Sequence, residues 1–554
     1  MDRQRSKWHT PYSHLYYPTD GPLYWILIAD EALKINFDPD VRLLAYADDF
    51  YLFVAATGKQ HFQAKVTRAL EQLDLWSKKA KIAFAHEKTK LIPFAKKGWY
   101  KHPPYCSFAG NSIKLERNLK MLGVIIDDRL NGLPHLDYIG GRMLRILNRL
   151  TIAKHKRGLS GKVLKVLYKR ALERILVYAA PAWWTGTANQ KNRLLSIQRK
   201  VLLAVTGAFR TTSTAALQIA SGVEPIDLVC DLETAWFHLK KSHVDYHLFG
   251  VKVEGSNMET ATPSLSHPSS WTPVQWDKNI ASSDLLIYSD GSKIDGQVGA
   301  AFCVINEDTC QEHQYRLSDH CSVFQAEAVA IKNAIKWKRS NFPTSKCHIH
   351  TDSLSVLMAL QNCHIHHDII SWIRLNIDEH TALHWVKAHI GIIGNETADK
   401  AAKSAAAKEV VDSPLGIPQS SIKRQLKSLL ISEWQQRWDR SSEKGRFTHA
   451  IFPKVSKSRC LFNGYDIQAV TNHGLCPHYL RRFNLRSCSC RCGEDERDDI
   501  QHYIFTCPLL GHLRKRIRHG DDILRVLSHP ILREEMRTLL RTVYLKELNI
   551  FQEL

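Results

Sequence analysis

Residues 285–292 read Leu285-Leu286-Ile287-Tyr288-Ser289-Asp290-Gly291-Ser292, an apolar run that ends on a small, acidic, turn-prone tetrapeptide. The apolar half has the length and composition of a buried strand. Val298 to Ile305 is a second such run, reached through a Gly-containing turn as in a hairpin. The spacing of Phe324, Ala328, Ile331 and Ile335 predicts a helix with Glu327 inside it. Cys347-His348-Ile349-His350 predicts a short strand ending in Thr351-Asp352-Ser353. Leu383-His384-Trp385-Val386 predicts a last strand, followed by Lys387-Ala388-His389 and then, on a new helix, Asn395-Glu396-Thr397-Ala398-Asp399. Asp290, Glu327, Asp352 and Asp399 are thus expected at strand ends or helix starts. One Asp in such a place is ordinarily a turn former or a helix cap. Four, each beside a Gly, Ser or Ala that leaves room, fit a magnesium site better, because Mg²⁺ wants oxygen ligands and keeps several waters. Two such ions about 4 Å apart activate a water and stabilise the leaving oxygen of a phosphodiester.

The order and context of these motifs resemble ribonuclease H. The likeness rests on Ser289-Asp290-Gly291-Ser292, Gln325-Ala326-Glu327-Ala328, Thr351-Asp352-Ser353, and His389 through Asp399. It covers roughly a quarter of the chain. It implies a mixed five-stranded sheet flanked by helices, and cleavage of the RNA strand of an RNA/DNA hybrid. It also implies that Asp290, Glu327, Asp352 and Asp399 ligate two Mg²⁺ ions, and that His389 lies on a mobile loop, handling a proton or helping product leave.

The 554-residue chain is long enough for three or four domains. Lys plus Arg number 76 against 55 for Asp plus Glu, a net charge of +21. That excess points to polyanionic partners, against the blander reading of a merely soluble basic surface. Thirteen scattered cysteines do not make a secreted disulfide framework. No signal region and no membrane-length apolar run is seen, so a soluble intracellular protein is expected, in nucleus or cytosol.

Upstream, Leu43-Leu44-Ala45-Tyr46-Ala47-Asp48-Asp49-Phe50-Tyr51-Leu52-Phe53-Val54 places an acidic pair between two apolar runs, as in a hairpin with both carboxylates at its tip. Adjacent carboxylates repel, and a shared cation explains the pair better than chance. With the helix from Phe62 to Lys78, Glu87-Lys88-Thr89-Lys90 and Leu119 to Val124 behind it, this segment resembles the palm of a reverse transcriptase, the last stretch as its primer-grip strand. That family has a further metal-binding Asp and a Gln-Gly-Ser upstream. Here Tyr17-Pro18-Thr19-Asp20 stands before Gly21-Pro22-Leu23 instead. Phosphoryl transfer needs both metals held in place. The chain alone is therefore not expected to polymerise DNA; a rival reading is a working reverse transcriptase completed by another polyprotein chain that supplies the missing half of the palm.

From Arg142 the pattern is helical and basic, with Trp183-Trp184 as an aromatic pair that could help grip a primer-template. A solvated face over an ordinary core is an equal reading. Gln198-Arg199-Lys200 through Thr211-Thr212-Ser213-Thr214 and Pro225 resembles the thumb and connection of non-LTR retrotransposon polymerases, most closely the insect group that includes the I factor. Near the end, Cys490, Cys492, His502 and Cys507 give a C-x-C-x9-H-x4-C spacing suited to a closed structural Zn²⁺ site. Cys488 is an alternative ligand, His512 a spare one, and a cluster of free thiols the plain alternative. Seven nearby arginines (Arg481, Arg482, Arg486, Arg491, Arg514, Arg516 and Arg518) fit a module that holds RNA by its phosphates.

The expected architecture is an α/β multidomain chain. Residues 1–20 are unmatched, 21–130 form a truncated palm, 131–249 a helical thumb, 250–278 a linker, 279–410 the ribonuclease H domain, and 411–554 a small zinc-stabilised module. The expected activity is hydrolysis of RNA in RNA/DNA hybrids. The alternative is a non-catalytic nucleic-acid-binding remnant.

Overall fold

The computed structural model describes residues 21–94, 101–157, 159–259, 273–278, 285–306, 309–362, 367–440, 444–494, 497–545 and 551–553. Tyr17 to Asp20 and residues 260–272 of the expected linker lie outside the described residues. The chain forms two compact units, residues 1–148 with 187–193, and 149–186 with 194–554. The dividing line falls inside the expected thumb rather than at residue 131.

In the first unit, strands Val41–Tyr46 and Asp49–Val54 pair in register as the predicted hairpin. Helix Lys59–Ala80 buries Phe62, Val66, Leu70 and Leu73 in a small core with Cys106 and Phe108. The Leu119 to Val124 stretch is not one strand. Asn118–Met121 and Val124–Asp127 form a hairpin turned at Leu122 and Gly123, both at positive φ.

The second unit contains a six-stranded sheet made of β1 (Trp276–Asp277), β2 (Leu286–Ile294), β3 (Gln297–Asn306), β4 (Thr309–Leu317), β5 (Cys347–Thr351) and β6 (Thr381–Trp385). The strand order is β1-β6-β5-β2-β3-β4, with β1, β6, β5 and β2 parallel and β2, β3 and β4 an antiparallel meander. Five strands were implied by the resemblance. The sixth comes from the stretch expected to be linker, which also supplies Val251–Val253, paired with Tyr246–Leu248.

The strands alternate as period-2 geometry requires. Ile287, Phe302 and Ile349 face one core, built with helices α1 (Val323–Asn341), α2 (Leu354–Gln361) and α3 (Asp368–Asn376). Tyr288, Ala301 and Cys303 face the other side, where helix α4 (Ile393–Ala406) packs through Ala398, Ala401 and Ala402. Gly299 permits that approach, because a Cβ there would stand 2.3 Å from Ala402 O.

The helical part of this unit explains the string from Gln198 to Pro225. Gln198 is fully buried and donates to Tyr168 Oη at 3.0 Å and to Glu224 O at 2.8 Å, while accepting from Gln218 at 2.9 Å. Its family-specific pattern is a satisfied polar node in a core. Trp183 and Trp184 are also core, 3% and 6% exposed, with Trp184 Nε1 bonded to Asp231, so they offer no face to a nucleic acid. Among the described residues no helix is long and apolar enough to cross a membrane.

Candidate active site and Cys/His centre

Ser289 of β2 pairs with Thr351 of the parallel strand β5, so Asp290 and Asp352 follow side by side. Asp290 was expected at a strand end. It lies in the middle of β2, which continues to Ile294 because β3 pairs with it residue for residue. Glu327 comes from the first turns of α1. That helix starts at a capping box in which Ser322 and Gln325 satisfy each other's backbone N–H groups. Gly291 lets the helix descend onto the strand, since a Cβ at this position would stand 2.4 Å from Glu327 N.

Asp290, Glu327 and Asp352 each place an oxygen within 4.8 Å of the other two. Asp290 and Glu327 are buried, and Glu327 Oε2 has no hydrogen-bond partner among the described residues. Burial pushes the Asp290 carboxyl up to about 7, and the charges of Asp352 and Asp399 push the same way. Burial, then Asp290 and Asp352, hold the Glu327 carboxyl well above its usual range. Asp352 is half-buried and is steadied by Asn395, whose Nδ2 donates to its Oδ2 at 3.3 Å.

Asp399 is not drawn into this trio. It lies on α4, where Lys403 Nζ donates to its Oδ2 at 2.7 Å. Neither Asn395 nor Lys403 was singled out as functional in the sequence. The i,i+4 spacing of Asp399 and Lys403 was the available signal. His389 is exposed in the loop before α4, at φ +55°.

In the first unit, Asp48 sits in the two-residue turn with Ala47 at φ +52°, and Asp49 opens the second strand opposite Tyr46. Both are exposed, and among the described residues no third carboxylate gathers with them.

The second cluster is sulfur-rich. Cys490, Cys492, His502 and Cys507 place their ligand atoms within 4.8 Å of one another. Cys490 Sγ and Cys507 Sγ are 3.7 Å apart, and Cys492 Sγ and His502 Nε2 are 3.3 Å apart. Tetrahedral zinc bonds give edges of about 3.8 Å and 3.5 Å. The Thr506 hydroxyl donates to His502 O, which leaves its lone pair facing His502 Nδ1 at 2.9 Å and turns Nε2 toward the thiols. Cys488 is buried in strand Cys488–Cys490 and takes no part in the cluster. Two of the nearby arginines are tied to the framework. Arg481 clasps Asp498, which also accepts the Cys490 N–H, and Arg514 donates to Tyr503 O and Cys507 O.

The ribonuclease H family matches residues 282–407, a span that holds strands β2 to β6, helices α1 to α4 and all four predicted carboxylates but not β1. The chain thus carries a ribonuclease H domain. It is homologous to Pol polyproteins of R1-type non-LTR retrotransposons. It is 28% identical over 225 residues to a 115 kDa protein of the type-1 element R1DM of Drosophila melanogaster, covering 40% of this chain and 22% of that protein. It is 29% identical over 211 residues to the R1 Pol polyprotein of Bradysia coprophila, covering 38% of this chain and 21% of that protein. An R1 Pol polyprotein of Popillia japonica is 29% identical over 208 residues, covering 36% of this chain and 82% of that protein. The chain thus spans about a fifth of the length of the first two relatives. A foamy viral protease-reverse transcriptase solved with dsDNA aligns over 22% of this chain and 94% of its own, at 19% identity and TM-score 0.20, too slight a likeness to define the fold.

Proposed function

We propose that the chain is a magnesium-dependent ribonuclease H that hydrolyses the RNA strand of RNA/DNA hybrids. The observation that carries this reading is the trio of buried Asp290, buried Glu327 and half-buried Asp352, with an unpartnered oxygen on Glu327 among the described residues and raised carboxyls on Asp290 and Glu327. Mutually repelling buried carboxylates fit a divalent cation, which removes the repulsion and supplies the missing partner. Asp290, Glu327 and Asp352 would hold the ions, with Asp399 completing the set as Lys403 yields it. Bound there, Mg²⁺ lowers the pKa of a water and offsets charge on the phosphodiester. Asn395 holds Asp352 in place. The water oxygen would lose a proton to solvent and bond to phosphorus as one P–O ester bond breaks, and the departing sugar oxygen would take up a proton, for which His389 on its exposed loop is the proposed donor.

Incubating the purified chain with a labelled RNA/DNA hybrid tests this. Magnesium-dependent cutting of the RNA strand is expected, with a loss of at least about 100-fold in Asp290→Asn and in Asp352→Asn. Asp352→Asn should still bind the hybrid. Undiminished cutting by either variant would remove the site assignment. No cutting by a folded chain would favour the binding-remnant reading.

We further propose that Cys490, Cys492, His502 and Cys507 bind a structural Zn²⁺, and that Asp48 and Asp49 alone do not support polymerisation. Primer extension by the isolated chain would overturn the latter. A companion polypeptide against the first unit is favoured by helix Gly21–Leu33, where Leu23, Tyr24, Ile26 and Leu27 are 57–62% exposed on an apolar surface. Failure of an N-terminal palm fragment to bind the chain in a titration would exclude it.

A further inference from the structure

A cleft of about 720 Å³ in the second unit belongs to neither centre. Its walls are the Thr211 to Ala216 turn, the Lys444 to Thr448 segment, and Thr471, His473, Arg482 and Phe483. Arg199, Lys444, Arg446 and Arg482 line it, and no carboxylate does among the described residues. Arg199 is spent in part on shape, donating to Thr214 Oγ1 at 3.0 Å and to Arg210 O. Arg482 and Lys444 are exposed, and the Arg482 guanidinium lies 5.7 Å from the centre of the Phe483 ring.

A second, independent observation concerns Thr212. It is fully buried, and its Oγ1 has no hydrogen-bond partner among the described residues although the residue lines the cleft. A buried hydroxyl left unmatched is costly unless something supplies its bond. Beside it, helix Thr214–Ser221 begins, with Ser213 as its cap and its positive end toward the same turn. The rings of half-buried Phe483 and His473 stand 5.5 Å apart, tilted by 54° to each other, beside the cations. Cations, a helix N-terminus, a hydroxyl in want of a partner and aromatic faces in one cleft suit a phosphodiester with its base. The volume is far more than a lone phosphate needs.

We propose that this cleft binds the backbone of a single-stranded nucleic acid, seating a phosphate on the Thr211–Thr214 turn between Arg482 and Lys444 and a base against Phe483. This goes beyond the nuclease reading and does not rest on it. It also gives chemistry to the Thr211-Thr212-Ser213-Thr214 string, which the carboxylate site leaves unused.

The test is fluorescence anisotropy of the whole chain, without added magnesium, against labelled single-stranded RNA and DNA 15-mers of one sequence, with inorganic phosphate as competitor. The double variant Arg482→Gln/Lys444→Gln is expected to bind at least about tenfold more weakly on every sequence. Its salt dependence should flatten by about 1.4 in log–log slope, at about 0.7 per lost phosphate contact. Thr212→Val should weaken binding several-fold while its melting temperature holds or rises, an outcome that a merely structural hydroxyl would not produce. Zinc content and melting temperature serve as folding controls. A well-folded double variant with unchanged affinity and slope would overturn the proposal, as would a folded parent chain with no measurable binding of either 15-mer. A tighter complex with one 15-mer would say whether RNA or DNA is the preferred strand.

Discussion

Glu327 and Asp290 hold protons that carboxyls in water give up near pH 4. Asp290 keeps its proton to about 7, through burial first and the charges of Asp352 and Asp399 next. An acid whose folded pKa lies above its unfolded value leaves the native state holding more protons across that interval, so stability falls as pH rises from about 4 to about 7. We expect the melting temperature of the metal-free protein to decline over that window and magnesium to recover it at pH 7 and above. In chelator at pH 7, Asp290→Asn should be more stable than the parent by about 1–2 kcal/mol, roughly the worth of one pKa unit of relieved repulsion. Thermal melts across pH, with and without magnesium, check this, and a midpoint at pH 8 indifferent to magnesium would count against the ion site. At this scale the sequence was most informative. Asp290, Glu327 and Asp352 were legible because each stands in a short motif whose strand or helix could be read beside it. The withdrawal of Asp399 onto Lys403 was not, because an i,i+4 pair looks the same whether it idles on a surface or guards a ligand.

At the level of elements, the cluster depends on how closely α1 lies on β2. Gly291 sets that distance, and Gly291→Ala must push the Glu327 backbone away or distort the strand. A loss of about 1–3 kcal/mol is expected, with weakened cutting, read from denaturant melts and hybrid cleavage. The Cys/His segment should behave as a clip. Metal analysis is expected to find one zinc per chain, and Cys507→Ser should lose it and melt the surrounding core, which contains Tyr503, Ile504 and Cys476, as seen by proteolysis of the C-terminal region. An intact, metal-free variant would remove the zinc assignment. Strands β2, β3, β5 and β6 were visible as apolar runs. β4 was not, because Thr309-Cys310-Gln311-Glu312-His313-Gln314-Tyr315-Arg316-Leu317 has little apolar content of its own. It is a strand because β3 pairs with every residue of it. The continuation of β2 through Asp290 was hidden for the same reason, as Ser, Gly and Lys signal a turn locally and are overruled by the ladder.

For the molecule as a whole, the functional sheet reaches past the ends that sequence motifs suggest. Glu259 accepts from Gln325 Nε2 at 3.1 Å through one oxygen and from Gln419 N at 3.1 Å through the other, so it ties the start of α1 to the segment after α4. Arg316 N donates to Asp412 at 2.7 Å, and Glu259 N to Ile417 O at 3.0 Å. None of this was legible, because single side chains reaching across 66 to 160 positions leave no local pattern. A fragment of residues 279–410 lacks these partners, and a fragment of residues 254–422 keeps them. The shorter should melt about 10 °C lower, the three lost charge-assisted hydrogen bonds being worth at least about 3 kcal/mol. Equal melting would show that the clasp is ornamental. The two residues of β1 have a different consequence. Trp276 and Asp277 occupy the outer rim of β6 at Leu383 and His384. Stripped of them, that rim becomes a bare row of amide and carbonyl groups, the surface on which copies of a sheet dock sideways into ribbons. A ribonuclease H domain trimmed to its recognisable motifs would therefore be prone to self-assembly, and the short strand works as a stopper against it.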